Sequence, residues 1–431
     1  MLMRIYSKLF KSKFAKNIAL VAGGTAFAQL IGVVFSPIIT RIYLPEEYGV
    51  LTVYASVLAI ISISASLDYQ LAIPIADDDE KAINLLALST IVLTFFVAFT
   101  VLLLIFFGDE ILEILDSQTL MNYKYLIPVG VFFTGGYNIL LQWTFRMRNY
   151  KAITKTKINQ SVSSNLLKVI LGFFHIGPLG LVLGTIVGQS AGITTLTLPI
   201  FNEKSVVKKI NIKEMRKLAK RYIKFPLYSA PSNYVYTSGS QLPFIFLTSL
   251  FGNNVIGLFG LANSIVNMPM DLIGTSISQV FYAEAANIGK SNPEKLKRLS
   301  IQLVKKLALI GMIPVLVLFL CGPELFSFIF GPKWYEAGVY AQIISIMIYF
   351  HFIILPFGRI LEIFERQREG LMLNIFRLVL IFSVFGIAKL MELSSYQTII
   401  LYTISNSFTY VLLFIVVLRI MNSEIKDIYE K

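Results

Sequence analysis

The sequence predicts an all-α integral membrane protein with about twelve transmembrane helices in two pseudo-symmetric six-helix lobes. Hydrophobic residues make up 56% of the 431 residues, charged residues only 15%, and the mean hydropathy is +0.71. A soluble domain of this length would lack the polar residues needed to cover its surface. In addition, about twelve segments reach the ~20 mostly apolar residues that a helix needs to cross a bilayer.

The predicted spans follow the apolar runs of the chain in order. Their Leu, Ile and Phe content, with Gly and Pro inside the runs, favours helices over the strands of a membrane barrel. The spans are 17–39, 48–73, 82–107, 125–145, 158–176, 178–201, 225–250, 255–281, 305–322, 337–358, 370–388 and 395–418.

The first span has basic flanks and an Ala26-Phe27-Ala28 triplet, which resembles a signal-peptide cleavage site. Because the apolar run continues without a break through Ile39, we expect a retained transmembrane helix. In the sixth span, glycines recur every fourth residue at Gly180, Gly184, Gly188 and Gly192. This spacing places all of them on one helical face and predicts close packing against a neighbouring helix.

A basic connection, 205–224, divides the chain into an N-terminal lobe, 1–204, and a C-terminal lobe, 225–431. Met215, Leu218, Ala219 and Tyr222 recur there at helical spacing. This pattern indicates an amphipathic helix on the membrane surface, or alternatively an ordinary basic loop. Because the first lobe contains six spans, both lobes begin on the cytoplasmic side. We therefore expect a parallel repeat about an axis along the membrane normal.

Orientation follows from the lysines and arginines. Of the 38 in the chain, 32 lie at the N-terminus, in alternate connections or in the C-terminal tail, and only four lie on the opposite side. Cytoplasmic loops carry such an excess, so both termini are predicted to be cytoplasmic. The net charge of +13 therefore reflects topology and not nucleic-acid binding. The acidic run 77–80 falls on the cytoplasmic side, where we expect a solvated loop, with a regulatory or cation-binding role as the weaker alternative.

The two remaining cations lie inside predicted spans. Asn165-Leu-Leu-Lys168 and Asn374-Ile-Phe-Arg377 share the pattern N-x-x-(K/R) followed by aliphatic residues. We expect Lys168 about 15 Å along its helix, near the midplane, and Arg377 about 10–12 Å from the cytoplasmic start. An intramembrane cation costs ~2.5–3.5 kcal/mol on insertion scales and usually faces protein or water. The pair predicts a positively lined cavity for an anionic substrate, against the alternative that both side chains reach the interface.

Two acidic residues lie in the predicted cytoplasmic thirds of their spans. Asp68 and Asp271 are candidates for proton or ion coupling, and equally for ordinary helix-end carboxylates. The sequence contains no G-x-x-x-x-G-K-(S/T) phosphate loop, so ATP hydrolysis by that route is not expected and an ion gradient is the candidate driving force. No catalytic constellation is present, and the lone Cys321 and the distant His175 and His351 predict no metal site.

Several motifs together resemble the Wzx-type polysaccharide flippases of the multidrug/oligosaccharidyl-lipid/polysaccharide exporter superfamily. They are the basic N-terminus, Ser36-Pro37 through Pro45-Glu46-Glu47-Tyr48-Gly49, the run from Asp68 to Ala82 and Lys224-Phe225-Pro226 through Pro231. The resemblance covers essentially the whole chain.

The resemblance implies two lobes in a MATE-like V in the bacterial inner membrane. It also implies a function, the flipping of undecaprenyl-diphosphate-linked oligosaccharide to the outer leaflet for surface polysaccharide such as O-antigen. Lys168 and Arg377 would bind the diphosphate, and Arg41 is a further candidate on the exit side. Membrane lipids, a polysaccharide polymerase and a chain-length regulator are the implied partners.

Two alternatives stay open on the sequence alone. A multidrug or cation antiporter of the same superfamily should carry acidic rather than cationic residues in its cavity. A membrane-embedded glycosyltransferase or polymerase would need large outer loops or acidic catalytic residues there. The longest such loop, 108–124, is short, and its Asp109, Glu110, Glu113 and Asp116 are typical of a solvated helix.

Overall fold

The computed structural model describes residues 13–114, 118–202, 207–289 and 292–429, so the N-terminal Arg4, Lys8 and Lys11 and the loop residue Asp116 lie outside the described residues. All regular structure in the described ranges is helical, which confirms the predicted all-α fold. The helices of ten or more residues are α1 (Lys13–Ile42), α2 (Pro45–Ser62), α3 (Asp79–Ile114), α4 (Leu126–Arg146), α5 (Tyr150–Phe173), α6 (Pro178–Ser190), α7 (Ile193–Asn202), α8 (Ile212–Arg221), α9 (Ala230–Ile288), α10 (Pro293–Phe330), α11 (Tyr335–Ile354), α12 (Gln367–Leu390) and α13 (Ser395–Tyr429).

Nine helical stretches in the described ranges are long and apolar enough to cross a membrane. One of them, Phe225–Ile288, has 64 residues and covers two of the predicted spans. Helix α2 covers the first part of the second predicted span and α5 covers the fifth, but neither belongs to this set. The predicted segments thus correspond to these helices, and the chain is a multi-pass membrane protein.

The chain divides into two compact units, Met1–Ser249 and Leu250–Lys431. The first contains α1 to α8 and the start of α9, and the second contains the rest of α9 and α10 to α13. The division falls within α9 and not in the connection 205–224, whose helix α8 packs against α3 of the first unit.

Helix α9 is interrupted at Gly252, next to the point where the two units join. Its φ of +77° and ψ of −177° are non-helical. This region of backbone conformation is essentially restricted to glycine because a Cβ atom would clash with the adjacent backbone. Two helical stretches can therefore meet through a single residue instead of a longer loop.

We expect Gly252→Ala to lower the thermal unfolding midpoint of the purified protein. Backbone strain of this kind costs on the order of 1–3 kcal/mol, although no atom outside the adjacent backbone lies within 4 Å of the position that a Cβ would occupy. The matched control is Gly239→Ala in the same helix, where the added Cβ also meets nothing within 4 Å. Alanine is favoured over glycine in a helix by ~1 kcal/mol, so this control should be neutral or stabilising. Equal midpoints for the two variants would contradict the strain argument.

The second predicted span, 48–73, is wrong in its second half, because α2 ends at Ser62. The chain continues through turns and a short 3-10 helix, Tyr69–Ile75. Leu67 and Asp68 have φ values of 52° and 60°, in the left-handed region that α-helices exclude. Ala72 and Ile73 are nevertheless fully buried, so this irregular segment is part of the core of the first unit.

Helix α8 is amphipathic, as predicted, but its apolar face contacts protein. Met215 is 6% exposed and Leu218 is 2% exposed, and α8 packs on the start of α3. The side chain of Asn84 on α3 accepts a hydrogen bond from the Asn211 N–H (2.8 Å) and donates to the Lys209 carbonyl (3.1 Å). Two of the four predicted apolar residues, Met215 and Leu218, therefore face α3 and not the membrane surface.

The acidic run 77–80 is exposed, and it also forms ion pairs with neighbouring helices. Arg221 of α8 donates two hydrogen bonds to Asp77, at 2.6 and 3.1 Å. Arg146 pairs with Asp79 at 2.8 Å and also donates to two backbone carbonyls of the preceding segment. These contacts connect α3, α4 and α8 at one end of the first unit.

We expect Arg221→Glu to loosen α8 from α3 and to increase amide hydrogen exchange over Ile212–Arg221. Hydrogen bonds from Arg221 and then from Lys81 lower the pKa of Asp77 to about 2. The contribution of this pair is therefore complete above the ordinary pKa of the carboxyl and is lost as the pH falls through about 2. Exposed pairs contribute little to global stability, so the effect should be local. Lys220→Glu, an exposed neighbour on the same helix, is the control. Equal exchange in both variants would show that the pair does not hold α8.

Candidate functional site

The packing of α5 against α6 depends on the glycine face of α6, as the spacing predicted. A Cβ at Gly180 would meet the Tyr43 hydroxyl, one at Gly184 would meet the Lys168 side chain, and one at Gly188 would lie 2.6 Å from the Ser164 Cβ. At Gly184 the backbone is also close, with the Ser164 carbonyl at 3.0 Å. The glycines therefore let the two helices approach until the stem of Lys168 lies directly on α6.

Lys168 is half-buried in the first unit. The Tyr43 hydroxyl at the end of α1 donates a 2.8 Å hydrogen bond to its backbone carbonyl. Among the residues that the structure describes, no side chain hydrogen-bonds to its ammonium group and no carboxylate lies within 4 Å of it. Lys168 therefore presents a positive charge that the protein does not neutralise.

The helix boundaries change the predicted depth of both cations. Because α5 begins at Tyr150, Lys168 lies about 27 Å along it and only about 8 Å from its end. Arg377 lies about 15 Å along α12, near the middle of that 24-residue helix. Arg377 thus lies near the middle of α12 and Lys168 lies near the end of α5, so the two cations are not equivalent within their helices.

Arg377 lies in a polar cluster of the second unit. Its Nε donates a 2.9 Å hydrogen bond to the Asn406 amide oxygen, and its guanidinium carbon lies 5.8 Å from the centre of the Tyr410 ring. The ring of His351 packs on Tyr410 with the two centroids 5.1 Å apart. The amide oxygen of Asn406 and the aromatic face of Tyr410 therefore orient the guanidinium group.

Three members of this cluster were not predicted as site residues. His351 is interpreted from the sequence as an isolated polar residue, and Asn406 and Tyr410 carry no motif. All three become relevant only because α11, α12 and α13 are neighbours. A polar residue in an apolar helix is the single sequence signal that each offers.

Arg41, the third predicted cation, is exposed in the last turn of α1. One guanidinium nitrogen donates a 3.1 Å hydrogen bond to the Pro37 carbonyl in the same helix. The neighbouring Pro-Glu-Glu-Tyr-Gly motif starts α2, with Pro45 at its first position and the Glu47 carboxylate accepting from the Leu44 N–H at 2.7 Å. This motif therefore has a structural explanation as a helix start.

Asp68 is only 1% exposed and accepts four hydrogen bonds from neutral donors. Ser64 and Gln70 of its own loop donate to Oδ1 at 3.1 and 3.4 Å. Ser229 and Asn233 donate to Oδ2, both at 2.8 Å. The carboxylate thus connects the loop after α2 to the start of α9, within the first unit.

Asp271, in α9 and the second unit, differs from Asp68. It is half-buried, and no described residue donates a hydrogen bond to its carboxylate or forms an ion pair with it. An unpaired carboxylate in a membrane helix is an unusual and costly feature. Its chemistry allows it to exchange a proton or to attract a cation.

No group of three or more His, Cys, Asp or Glu side chains within the described ranges is arranged to hold a metal ion. The charged groups of the described helices therefore fall into two classes. Asp68 and the 77–80 run are satisfied by protein partners, whereas the Lys168 ammonium and the Asp271 carboxylate are not. Arg377 has protein contacts that orient its guanidinium group.

The fold is similar to that of transporters of the MOP superfamily. An inward-facing multidrug resistance MATE transporter is 15% identical, with a TM-score of 0.72, over 95% of this chain and 99% of that chain. The lipid II flippase MurJ, in an inward closed conformation, is 13% identical, with a TM-score of 0.71, over 94% of this chain and 90% of that chain. A MOP transporter from Pyrococcus furiosus, described as having a binding pocket of reverse polarity, is 15% identical, with a TM-score of 0.60, over 97% and 98% of the two chains.

At these identities the likenesses show the fold, and the substrate must be argued from the residues. A comparison with curated protein sequences gives no match. The sequence model of a family described as polysaccharide biosynthesis protein matches residues 38–339, which is more than half of the chain. This protein is therefore a member of the polysaccharide biosynthesis protein family, with the fold of the MOP-superfamily transporters.

Proposed function

We propose that this protein flips undecaprenyl-diphosphate-linked oligosaccharide repeat units from the cytoplasmic to the outer leaflet of the bacterial inner membrane. The polymer built from these units would be a surface polysaccharide such as O-antigen. The family membership and the fold shared with a lipid II flippase support a transporter of this class. The observation that carries the proposal is Lys168, a cation on a membrane helix without a carboxylate partner.

A diphosphate is the chemical group that such a cation fits best. Hydrogen bonds between a charged donor and a phosphate oxygen are roughly twice as strong as neutral ones. Lys168 offers an ammonium group against the glycine face of α6, and Arg377 offers a guanidinium oriented by Asn406 and Tyr410. Both cations would supply positive charge to the headgroup during alternating access, while the lipid tail stays in the bilayer. Arg41, exposed at the end of α1, is a third candidate cation and would contact the headgroup after it has passed Lys168.

In the proposed topology both termini are cytoplasmic, on the side where the substrate would be taken up. The driving force would come from a proton or sodium gradient, or from consumption of the product by a polymerase and its chain-length regulator. Asp271 is the better candidate for ion coupling, since four protein donors already hydrogen-bond to the Asp68 carboxylate. No enzymatic step is part of the proposal.

The unpaired Asp271 is also the observation that favours the rival function, a multidrug or cation antiporter. A cationic drug needs a carboxylate and is repelled by Lys168 and Arg377, so the cations favour the flippase. Drug-resistance assays on cells with and without the protein separate the two functions. Increased resistance together with unchanged polysaccharide would establish the antiporter.

The test of the proposed function is a strain that lacks the protein. We expect surface polysaccharide to be lost and the lipid-linked repeat units to accumulate facing the cytoplasm. Complementation with the wild-type chain should restore both. Normal polymer and a normal leaflet distribution, in a strain shown to contain no second flippase, would overturn the proposal.

A further inference from the structure

Helix α5 carries a second lysine on the same face as Lys168. Lys157 precedes it by eleven residues, which is three helical turns and about 16 Å. Because α5 begins at Tyr150, Lys157 lies about 10 Å from the start of the helix, whereas Lys168 lies about 8 Å from its end. The two cations thus occupy opposite halves of α5, the helix that covers the fifth predicted span. Counted from the sequence, Lys157 falls just outside the predicted span and contributes only to orientation.

The surroundings of Lys157 resemble those of Lys168 and not those of a structural ion pair. It is half-buried, and its ammonium group donates a 2.8 Å hydrogen bond to the Thr25 hydroxyl of α1. No carboxylate of a described residue lies within 4 Å of it. Cations that hold the first unit together do have such partners, as Arg146 has Asp79 and Arg221 has Asp77. Lys157 points inward to α1 without being neutralised.

The face between the two lysines is polar and uncharged. Ser161 donates a 2.6 Å hydrogen bond to the Ala28 carbonyl of α1. The side-chain amide of Asn165 donates a 2.8 Å hydrogen bond to the Ser161 carbonyl. These side chains satisfy one another and leave no charge between Lys157 and Lys168. Helix α5 therefore carries positive charge in each half, with a neutral interval between the two lysines.

We propose that Lys157 is a second binding position for the anionic headgroup, used before Lys168 as the substrate crosses from the cytoplasmic side. This inference rests on the proposed function and names the part of the path nearest the start of α5. The two ammonium groups are too far apart for one phosphate, so binding is successive. Two binding positions of equal charge also keep the anion from being trapped at either lysine. The interaction that it loses on leaving one lysine is replaced by the interaction that it gains at the other.

The experiment uses the full-length protein in phosphatidylcholine vesicles with a fluorescent, short-chain polyprenyl-diphosphate oligosaccharide as the probe. Lys157→Met keeps the apolar stem and removes the charge. We expect a flipping rate at least tenfold lower at limiting probe concentration, largely restored at saturation, because the first binding step is weakened. Lys157→Arg should restore the rate. Lys155→Met, at an exposed position two residues earlier on the same helix, should leave it unchanged.

Three outcomes would overturn the inference. The first is that Lys157→Met flips the probe at the wild-type rate at every concentration. The second is that its loss of rate accompanies an equal loss of thermal stability that Lys157→Arg does not repair. The third is an effect seen only when phosphatidylglycerol is added, which would make Lys157 a contact for bulk anionic lipid. Failure of the proposed function itself is distinguishable, because then the wild-type protein would not flip the probe.

Discussion

Reversing the charge at both intramembrane cations, Lys168→Glu with Arg377→Glu, should reduce translocation of the lipid-linked substrate at least ~100-fold. A hydrogen bond to a charged group contributes about 1.5–3 kcal/mol, so losing two of them gives a factor of this size before repulsion of the phosphate by the new carboxylates is counted. The measurement is the flipping rate in vesicles, together with surface polysaccharide in a complemented deletion strain.

The control for this variant is provided by the same two helices. Lys155 on α5 and Arg368 on α12 are both exposed, so Lys155→Glu with Arg368→Glu makes the same change in net charge outside the packed faces. We expect normal translocation from this control and normal membrane levels of both proteins. Undiminished translocation by Lys168→Ala with Arg377→Ala would remove both residues from the mechanism.

Features that depend on one segment could be predicted from the sequence. The glycine face of α6 is one example, because a four-residue spacing determines a helical face whatever lies opposite. The amphipathic pattern of α8 is another, although only the structure shows that α3, and not lipid, covers Met215 and Leu218. A pattern identifies which residues are buried without identifying what buries them.

Features that depend on two distant segments could not be predicted. Lys157 is counted with the cytoplasmic loop until Thr25 of α1 is seen beside it, and Asp68 gains its meaning from Ser229 and Asn233, more than 150 residues later. The end of α2 at Ser62 is not visible in the sequence for a related reason. Ala72 and Ile73 are buried in an irregular segment, and an apolar run does not distinguish this from a continuing helix.

The charged residues of the membrane region fall into two groups according to their protein partners. A charge that the fold uses for its own stability is met by several donors or by an opposite charge, since burial without a partner is costly. A charge left unmatched at that cost is a candidate for contact with substrate or ion. Lys157, Lys168 and Asp271 belong to the second group, and Asp68 belongs to the first.

The same distinction gives the second large prediction, which concerns Asp68 and Asp271. We expect Asp68→Asn to destabilise the protein by about 1–3 kcal/mol, because the donors Ser229 and Asn233 lose a charged acceptor. In addition, the NH₂ group of the new asparagine is itself a donor and would face donors instead of acceptors. The thermal unfolding midpoint should fall, and amide exchange should rise over residues 225–233, where a short π-helix leads into α9. Adding Asn233→Ala to Asp68→Asn should cost less than the sum of the two single changes, since both remove the same hydrogen bond.

Asp271→Asn is the matched variant, because the same chemical change is made where no described residue donates to the carboxylate. Its unfolding midpoint should stay unchanged or rise, since an uncompensated charge is removed from the membrane region. If Asp271 couples an ion to transport, this variant should lose the dependence of the flipping rate on pH or sodium. The opposite result, a stable Asp68→Asn protein that has lost this dependence, would assign coupling to Asp68 and would mean that its four hydrogen bonds exchange during transport.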